Sequence, residues 1–157
     1  MKTMKNNYLS KKIYKSLMKS NPITTVDVTF INTKKDKTLL FKRENKPLKG
    51  VYFTIGGRLW KNETFIQSAL RHAKKELGLR LNPKKLIFGG VSEELHPDSI
   101  FPGISYHAVD IFFYYVLDTK NLKLTFDSQH NHYKWFNLND IKLHPMLKKR
   151  FKNNMTK

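Results

Sequence analysis

Two adjacent glycines and a downstream glutamate are the residues in this chain best placed for chemistry. Gly56 and Gly57 end a short apolar run, where a backbone without side chains can bring a carbonyl oxygen toward an ion. On the helix predicted after them, His72 and Glu76 are one turn apart and project on the same side. Oxygen ligands of this kind suit Mg²⁺ or Mn²⁺, which also bind substrate phosphates. Alone, Glu76 would be explained as an ordinary surface residue, but the Gly-x5-Glu-x7-Arg spacing around it favours a metal site.

Three other polar residues have a functional and an ordinary interpretation. Asp27 lies inside an apolar strand, so it is either partnered by an arginine or functional. Arg43 is an arginine in a lysine-rich chain, which favours a bidentate contact with phosphate over a simple charge at a strand edge. His130 follows Gln129 in a polar segment, and an isolated loop histidine is more often solvated than catalytic.

Residues 56–79, GGRLWKNETFIQSALRHAKKELGL, resemble the signature of the Nudix hydrolases, G-x5-E-x7-R-E-U-x-E-E-x-G-U, in which U is a bulky aliphatic residue. The positions that match are Gly57, Glu63, Arg71, Glu76, Gly78 and Leu79. His72 and Lys75 stand where the signature has glutamates. These departures, together with the downstream SQHNHYKW, resemble the GDP-mannose mannosyl hydrolase branch, which lacks two of the Nudix glutamates and keeps the last one.

The resemblance implies a metal site and a base. One divalent ion, Mg²⁺ or alternatively Mn²⁺, would be held by the Gly56 carbonyl, Glu76 and Gln129. His130 would be the general base. A histidine with an ordinary pKa of about 6.5 is suited to take a proton from water.

The resemblance also implies substrate contacts. Two arginines would bind the diphosphate and stabilise the leaving group, namely Arg43 and Arg58, and Asp27 would lie near the guanine or the sugar. The family uses a tyrosine of a long strand as well. Tyr106 is the nearest candidate for it, although two neighbours could equally align there, His107 and Ala108.

The implied reaction is hydrolysis of GDP-mannose or GDP-glucose by a water that attacks the anomeric carbon with inversion. Mg²⁺ and two guanidinium groups would stabilise the departing GDP. Fewer carboxylates are needed because a second and third metal are not required. The alternative is a pyrophosphatase that acts at phosphorus, and a second alternative is an inactive basic domain that binds nucleic acid.

Composition restricts the class of protein. The chain has 30 Lys and Arg against 12 Asp and Glu, a net charge of +18, which attracts polyanions. The basic residues are spread along the chain, so a solvated surface is favoured over nucleic-acid recognition. The absence of cysteine favours a reducing cytoplasm, and the basic N-terminus has no apolar region of a secretory signal. No apolar run approaches the roughly 20 residues of a membrane span, so no membrane partner is expected.

Helices and strands must hold these residues in one domain over residues 1–157. The pattern predicts an amphipathic N-terminal arm within residues 1–20, then strands and one well-defined helix that begins at Asn62 and stops at Gly78. The remaining predicted elements are strands at 23–32, 38–43, 51–55, 86–91, 106–117, 123–126 and 133–136 and short helices at 138–141 and 146–151. The fold class is α/β, a Nudix-type α/β/α sandwich with a central mixed sheet and the Nudix-like box at 57–79. The resemblance suggests a homodimer through the 96–103 loop and the aromatic strand after it.

Overall fold

The computed structural model describes residues 8–118, 120, 123–125 and 132–154. Two of the predicted site residues, Gln129 and His130, lie outside these ranges. The described part contains three α-helices, a short 3₁₀ helix at Pro83–Lys85, and seven strands. The helices are α1 Lys11–Ser20, α2 Phe65–Leu77 and α3 Pro145–Asn154. The strands are β1 Ile23–Asn32, β2 Lys37–Lys42, β3 Tyr52–Phe53, β4 Ile55–Arg58, β5 Ile87–His96, β6 Tyr106–Leu117 and β7 Tyr133–Asn137.

All seven strands belong to one mixed sheet built around β1. The main order is β3-β2-β1-β6-β5, with β4 paired to β1 and β7 paired to β2. The β1 and β6 strands are parallel over ten residue pairs, from Ile23 opposite Ala108 to Asn32 opposite Leu117. The first half of β1 also pairs with β4, which places Gly56 directly across from Asp27. This pairing brings the glycines of the box beside the acidic residue of the first strand.

The sheet is covered by a helix on each face, as the predicted α/β/α sandwich requires. On one face, Ala69, Ala73 and Leu77 of α2 pack against the strands as part of a buried core with Val26 and Val28 of β1. On the other face, Leu147 and Phe151 of α3 belong to a second core that includes strand residues from β1, β2 and β6. Burial of these side chains is the main contribution to stability, at about 1.5–3 kcal/mol for each large aliphatic or aromatic residue. The described residues include no helix long and apolar enough to cross a membrane.

The start of α2 differs from the prediction, whereas its end agrees. The N-cap is Thr64, whose hydroxyl accepts a hydrogen bond from the Gln67 amide while the Gln67 side chain accepts one from the Thr64 amide, forming a capping box. Asn62 instead lies in the preceding turn with a φ of 67°. Gly78 ends the helix with a φ of 68°, the left-handed conformation that glycine adopts at lowest cost. The helix is therefore fixed at both ends by local hydrogen bonds.

Three other predicted elements also differ. Strand β5 continues to His96 instead of ending at Val91, because its polar second half pairs with β6 up to Tyr106. Residues 138–141 form turns and not a helix, and no strand is present at 123–125. The glycines of the box lie inside β4, and a loop separates them from α2. For β5 and β4 the difference follows from pairing with β6 and β1, which lie far away in the chain.

Candidate active site

Strand β4 separates two cavities, and both are lined by Gly56, Gly57 and Arg58 of this strand and by Tyr14 of α1. The first, which we call the helix cavity, has a volume of about 250 Å³ and reaches His72 and Glu76 of α2. The second, which we call the strand cavity, has a volume of about 260 Å³ and reaches residues of β1, β5 and β6. A ligand that crosses β4 would therefore contact both groups of residues.

Gly56 must be a glycine because of its strand partner. A Cβ atom at Gly56 would collide with the Asp27 carboxylate and the Val26 carbonyl oxygen. Its φ of 149° is also rare for residues with side chains. The missing side chain therefore lets the Asp27 carboxylate lie over β4, where Asp27 lines the strand cavity.

Glu76 is a buried carboxylate in the helix cavity. Its Oε1 lies 2.7 Å from Nδ1 of His72, one helical turn earlier, and both side chains are more than nine-tenths buried. When Glu76 is ionised, Nδ1 donates this hydrogen bond. The other ring nitrogen, Nε2, is buried and makes no hydrogen bond with the described residues. The ring lies against Gly57, where a Cβ would come within 3.0 Å of it.

Two other residues of the box hold the loop before α2 in place. Arg71 donates hydrogen bonds to both carboxylate oxygens of Glu63, at 2.6 and 2.9 Å, and another to the Arg58 carbonyl at 3.0 Å. Its guanidinium also stacks on Trp60, 3.9 Å from the ring centre. Burial alone would raise the pKa of Glu63, but the hydrogen bonds from Arg71 and from the Trp60 amide lower it below its usual value. Glu63 is thus committed to Arg71, which leaves Glu76 as the carboxylate of the box that lines the helix cavity.

Cationic and hydroxyl groups line part of the strand cavity. The Nε of Arg43 donates to the Pro47 carbonyl at 2.9 Å, which fixes the guanidinium at the cavity wall. Its two terminal amino groups make no hydrogen bond with the described residues and are available to a ligand. Burial raises the pKa of Tyr106 far above its usual value, so its hydroxyl stays protonated and can donate a hydrogen bond. Arg43, Arg58 and Tyr106 therefore share one cavity, as their predicted roles require.

The opposite side of the strand cavity is acidic, and Arg150 of α3 offsets part of its negative charge. Arg150, whose side chain is 2% exposed, donates hydrogen bonds to three carboxylates. The distances are 2.6 Å to Asp110 Oδ2, 3.1 Å to Glu94 Oε1 and 3.3 Å to Asp27 Oδ2. Thr25 donates to the other oxygen of Asp110 at 2.8 Å. We call Asp27, Glu94, Asp110 and Arg150 the acidic cluster.

Burial governs the protonation of this cluster. Burial raises the pKa of Asp110 well above its usual value, and the negative charge of Asp27 adds to this effect. Burial raises the pKa of Asp27 as well, although Arg150 opposes the shift. One guanidinium cannot offset the desolvation of three carboxylates, so a proton is retained in the cluster at a higher pH than an exposed aspartate would allow.

The residues present fit one divalent ion in the helix cavity better than an ion in the acidic cluster. The three carboxylates of the cluster do offer oxygen atoms within 4.8 Å of one another. However, Arg150 already donates to all three, so its guanidinium supplies the positive charge that a metal would bring. In the helix cavity, the Glu76 carboxylate and the backbone of Gly56 offer oxygen atoms, and no arginine hydrogen-bonds to Glu76 among the contacts of the described residues. Such a set of oxygen donors suits Mg²⁺ or Mn²⁺.

The structure brings together most of the predicted site and adds residues that the sequence did not indicate. Six of the eight predicted residues line the two cavities, namely Asp27, Arg43, Gly56, Arg58, Glu76 and Tyr106. Asp27 is partnered by an arginine, which is one of the two interpretations given to it, and it also lines the strand cavity, so its functional role stays a prediction. The additional residues are Glu94, Asp110 and Arg150. Asp110 carried a signal, since it is a lone acid in an apolar strand just as Asp27 is, whereas Arg150 was concealed in a basic run.

Comparisons with known proteins agree with this architecture. The model of the NUDIX domain family matches residues 22–156. The low-salt glycan biosynthesis protein Agl8 of Haloferax volcanii is 31% identical over 137 residues, which cover 87% of this chain and 84% of that protein. Among solved structures, the MutT protein of Methanosarcina mazei superposes with a TM-score of 0.69 at 16% identity, covering 87% of this chain and 96% of the other. The MutT NUDIX hydrolase of Burkholderia pseudomallei superposes with a TM-score of 0.67 at 18% identity, covering 85% and 98%.

The two kinds of comparison support different statements. The solved structures share the fold with this chain, at identities too low to indicate a substrate. The family model spans most of the chain, and the box folds as strand β4, a loop and the capped helix α2. The chain belongs to the Nudix hydrolase family.

Proposed function

We propose that this protein is a Mg²⁺-dependent hydrolase of a GDP-sugar, GDP-mannose or GDP-glucose, that releases GDP and free hexose with inversion at the anomeric carbon. The observation that carries the proposal is the content of the helix cavity. Glu76 is the carboxylate that α2 presents there, and His72 occupies a position at which the Nudix signature has a second glutamate. A site with so few carboxylates suits one metal ion bound to a diphosphate better than a cluster of ions.

The two cavities provide separate places for the two halves of such a substrate. The diphosphate would lie at β4, where Arg58 borders both cavities and Arg43 lines the strand cavity. Guanidinium groups suit this role because their planar donors match phosphate oxygens. The strand cavity, at about 260 Å³, is smaller than the roughly 300–1,000 Å³ of pockets that enclose a whole ligand. It is suited to the sugar ring alone.

The proposed reaction forms a bond between a water oxygen and the anomeric carbon and breaks the bond between that carbon and the GDP oxygen. Bound to Gly56, Glu76 and Gln129, the ion would neutralise charge on the diphosphate. Arg43 and Arg58 stabilise the charge that develops on the leaving oxygen, and the base, His130 by resemblance, takes the proton of the water. Glu76 is held for its role by His72, whose Nδ1 fixes one carboxylate oxygen.

The relative with a curated name supports a sugar substrate. Agl8 is named for glycan biosynthesis, a process that uses nucleotide-activated sugars, and the similarity extends over most of both chains. The small acidic end of the strand cavity is also suited to hydroxyl groups. The base and the hexose are inferred from the resemblance to the sugar hydrolase branch.

Hydrolysis in ¹⁸O-labelled water tests the proposal directly. The chain is incubated with Mg²⁺ and a panel of GDP-sugars and ADP-sugars, and the products are identified by mass spectrometry. We expect GDP and a hexose that carries the label. Label in a nucleotide phosphate, together with nucleoside monophosphate and sugar phosphate, would show that the enzyme acts at phosphorus. Salt-dependent binding of nucleic acid without turnover of any nucleotide sugar would instead support the inactive basic domain.

The role of Glu76 is tested by metal binding as well as by turnover. In Glu76→Gln the carboxylate is lost while the shape of the side chain is kept. We expect Mn²⁺ binding, measured from the free-ion signal in electron paramagnetic resonance, to weaken by about tenfold or more, and turnover to fall by at least about a hundredfold. The control is Lys74→Gln, an exposed residue of the same helix outside both cavities. Unchanged Mn²⁺ affinity in Glu76→Gln would contradict the assignment.

A second copy of the chain is the proposed partner at β5. Helix α2 packs on the middle of one face of the sheet and does not cover β5 on that face. Val91 of β5 is 61% exposed and Leu95 is 65% exposed. Phe88 on the same strand is also exposed, and β5 is an edge of the sheet. Edge strands with exposed apolar side chains pair readily with another chain. The aromatic residues Phe112 to Tyr114 of β6 are buried within the fold, so β5 is the better candidate for the interface.

A further inference from the structure

Two carboxylate oxygens of the acidic cluster have no hydrogen-bond donor within the described protein. Asp27 uses Oδ2 to accept from Thr54 at 2.7 Å and from Arg150 at 3.3 Å. Glu94 uses Oε1 to accept from Arg150 at 3.1 Å. The remaining oxygens, Asp27 Oδ1 and Glu94 Oε2, make no hydrogen bond with the described residues. Nε2 of His96 lies 3.9 Å from Glu94 Oε2, beyond hydrogen-bonding distance.

Both residues are more than nine-tenths buried yet line the strand cavity. Asp27 is 8% and Glu94 is 7% exposed. The two oxygens are accessible from the cavity, and polar groups of such nearly buried residues usually have a hydrogen-bond partner. A ligand that donates hydrogen bonds in the cavity would supply the missing partners.

The charges around the cavity define the chemistry of that ligand. Arg43 and Arg58 border it near β4, and the two carboxylates lie on the acidic side. A phosphate group is attracted by the arginines and repelled by the carboxylates, so it cannot be the group that contacts Glu94. A metal ion among the three carboxylates would have to compete with the Arg150 guanidinium, which already donates hydrogen bonds to all of them. Neutral hydroxyl groups are not repelled by the carboxylates and do not compete with Arg150, because they donate hydrogen bonds without adding charge.

We propose that Glu94 is a sugar-binding residue of this enzyme, and that Glu94 Oε2 and Asp27 Oδ1 accept hydrogen bonds from hydroxyl groups of the hexose. The inference rests on the proposed function, and it adds Glu94 to the residues that contact the substrate. Glu94 distinguishes hexoses by the hydroxyl that it contacts, because a carboxylate acceptor left without a donor penalises a sugar that lacks this group.

Arg150 is the positioning residue of this subsite. One of its amino groups binds Asp27 and the other binds Glu94, so a single planar guanidinium sets the separation of the two carboxylates. The backbone carbonyl of Arg150 accepts a hydrogen bond from the Tyr114 hydroxyl at 3.0 Å, which fixes the helix that carries it. The spacing of the two free oxygens is therefore rigid, as selective recognition of hydroxyl groups requires.

The test compares binding of the two halves of the substrate. Isothermal titration calorimetry with Mg²⁺ measures the affinity for GDP and for a GDP-hexose analogue in which a methylene group replaces the scissile oxygen, so that turnover does not interfere. We expect Glu94→Gln to lower the affinity for the analogue by about ten- to a hundredfold, which corresponds to the loss of one charge-assisted hydrogen bond. The affinity for GDP should change by less than about twofold. The control is Glu93→Gln, which removes the charge of an exposed neighbouring carboxylate that contacts His107. The affinities for GDP and for the analogue should both be unchanged.

Analogues that lack single hydroxyl groups identify the contact. The wild-type protein should lose affinity for one deoxy analogue, and Glu94→Gln should show no additional loss for that same analogue, because the two changes remove one interaction. Thermal unfolding, measured in parallel, shows whether the variant is folded. If Glu94→Gln does not fold, Glu94→Asp replaces it in the binding measurements. The aspartate keeps a charge near Arg150 but withdraws its free oxygen from the cavity, so it should also lose affinity for the analogue.

Two results would overturn the proposal: equal loss of GDP and analogue affinity in the Glu94 variants, or a wild-type protein that binds the analogue no more tightly than GDP. Failure of the proposed reaction gives a different result. If the wild-type enzyme forms nucleoside monophosphate and Glu94→Gln still weakens the analogue selectively, the sugar contact stands and the carbon-attack reaction is wrong. If GDP and labelled hexose are formed and Glu94→Gln binds the analogue as the wild type does, only the sugar contact is wrong.

Discussion

Replacement of Arg150 by methionine should destabilise the protein strongly and in a pH-dependent way. Arg150 makes three buried ion pairs, and its guanidinium lies 4.6 Å from the ring centre of Phe112. Methionine preserves much of the packing, so the loss is mainly electrostatic. Removing one partner of a buried ion pair typically costs about 3–5 kcal/mol, and here the carboxylates left behind also repel one another. We expect the free energy of unfolding to fall by about 3–5 kcal/mol near pH 8.

The effect should decrease on acidification. Burial raises the pKa of Asp110 well above its usual value of 3.8, so the folded protein binds this proton more tightly than the unfolded chain does. For such a group, the stability is fully present below pH 3.8 and is lost as the pH rises through the folded pKa. Without Arg150 the pKa of Asp110 rises further, and protonation at about pH 5 relieves the repulsion.

Urea denaturation followed by circular dichroism at about pH 5 and pH 8 measures both effects. The control is Lys149→Met, the exposed neighbour in α3, for which a change within about 0.5 kcal/mol is expected. A loss of less than about 1 kcal/mol for Arg150→Met at pH 8, or a loss that increases toward pH 5, would refute the role given to the acidic cluster.

Three other substitutions test separate parts of the structure. Gly56→Ala introduces a Cβ that collides with the Asp27 carboxylate, so we expect a loss of about 1–3 kcal/mol in denaturant unfolding, and wild-type stability would contradict the β1–β4 pairing. Thr64→Ala removes the hydroxyl of the capping box and should cost about 1 kcal/mol in the same assay, whereas no loss would mean that α2 is not capped at this residue. Val91→Glu places a charge on the apolar surface of β5 and should convert the proposed dimer to a monomer in light scattering; a wild-type chain that is already monomeric at micromolar concentration would rule out the dimer.

The elements that the sequence predicted well are those with strong local patterns. Helix α2 has a regular apolar stripe and a terminal glycine, and β6 is a nearly continuous apolar run. The predicted end of α2 and both predicted ends of β6 therefore lie within one or two residues of the observed ones. The second half of β5 was missed because its polar residues have no strand pattern of their own. They are extended because β6 offers hydrogen-bonding partners up to Tyr106. Local propensity therefore could not reveal it.

Part of the site was likewise predictable and part was not. Gly56 and Glu76 belong to a motif of fixed spacing, and the structure places both at the helix cavity. Glu94 and Arg150 belong to no motif. The three carboxylate partners of Arg150 lie 123, 56 and 40 residues away in the sequence, so only the folded sheet shows that they meet. The free-energy cost of burying an unpaired carboxylate gave a partial clue to these contacts. A carboxylate in an apolar strand requires a cationic partner, and this lysine-rich chain has few arginines to provide it.

The position of Arg150 in the last described helix also bears on synthesis of the chain on the ribosome. The carboxylates of β1, β5 and β6 are made before α3, and the sheet cannot bury them at low cost until this arginine has emerged from the exit tunnel. We therefore expect the strand cavity to form only after α3 docks on the sheet, and a chain without α3 to be cleaved by proteases more readily than the full chain.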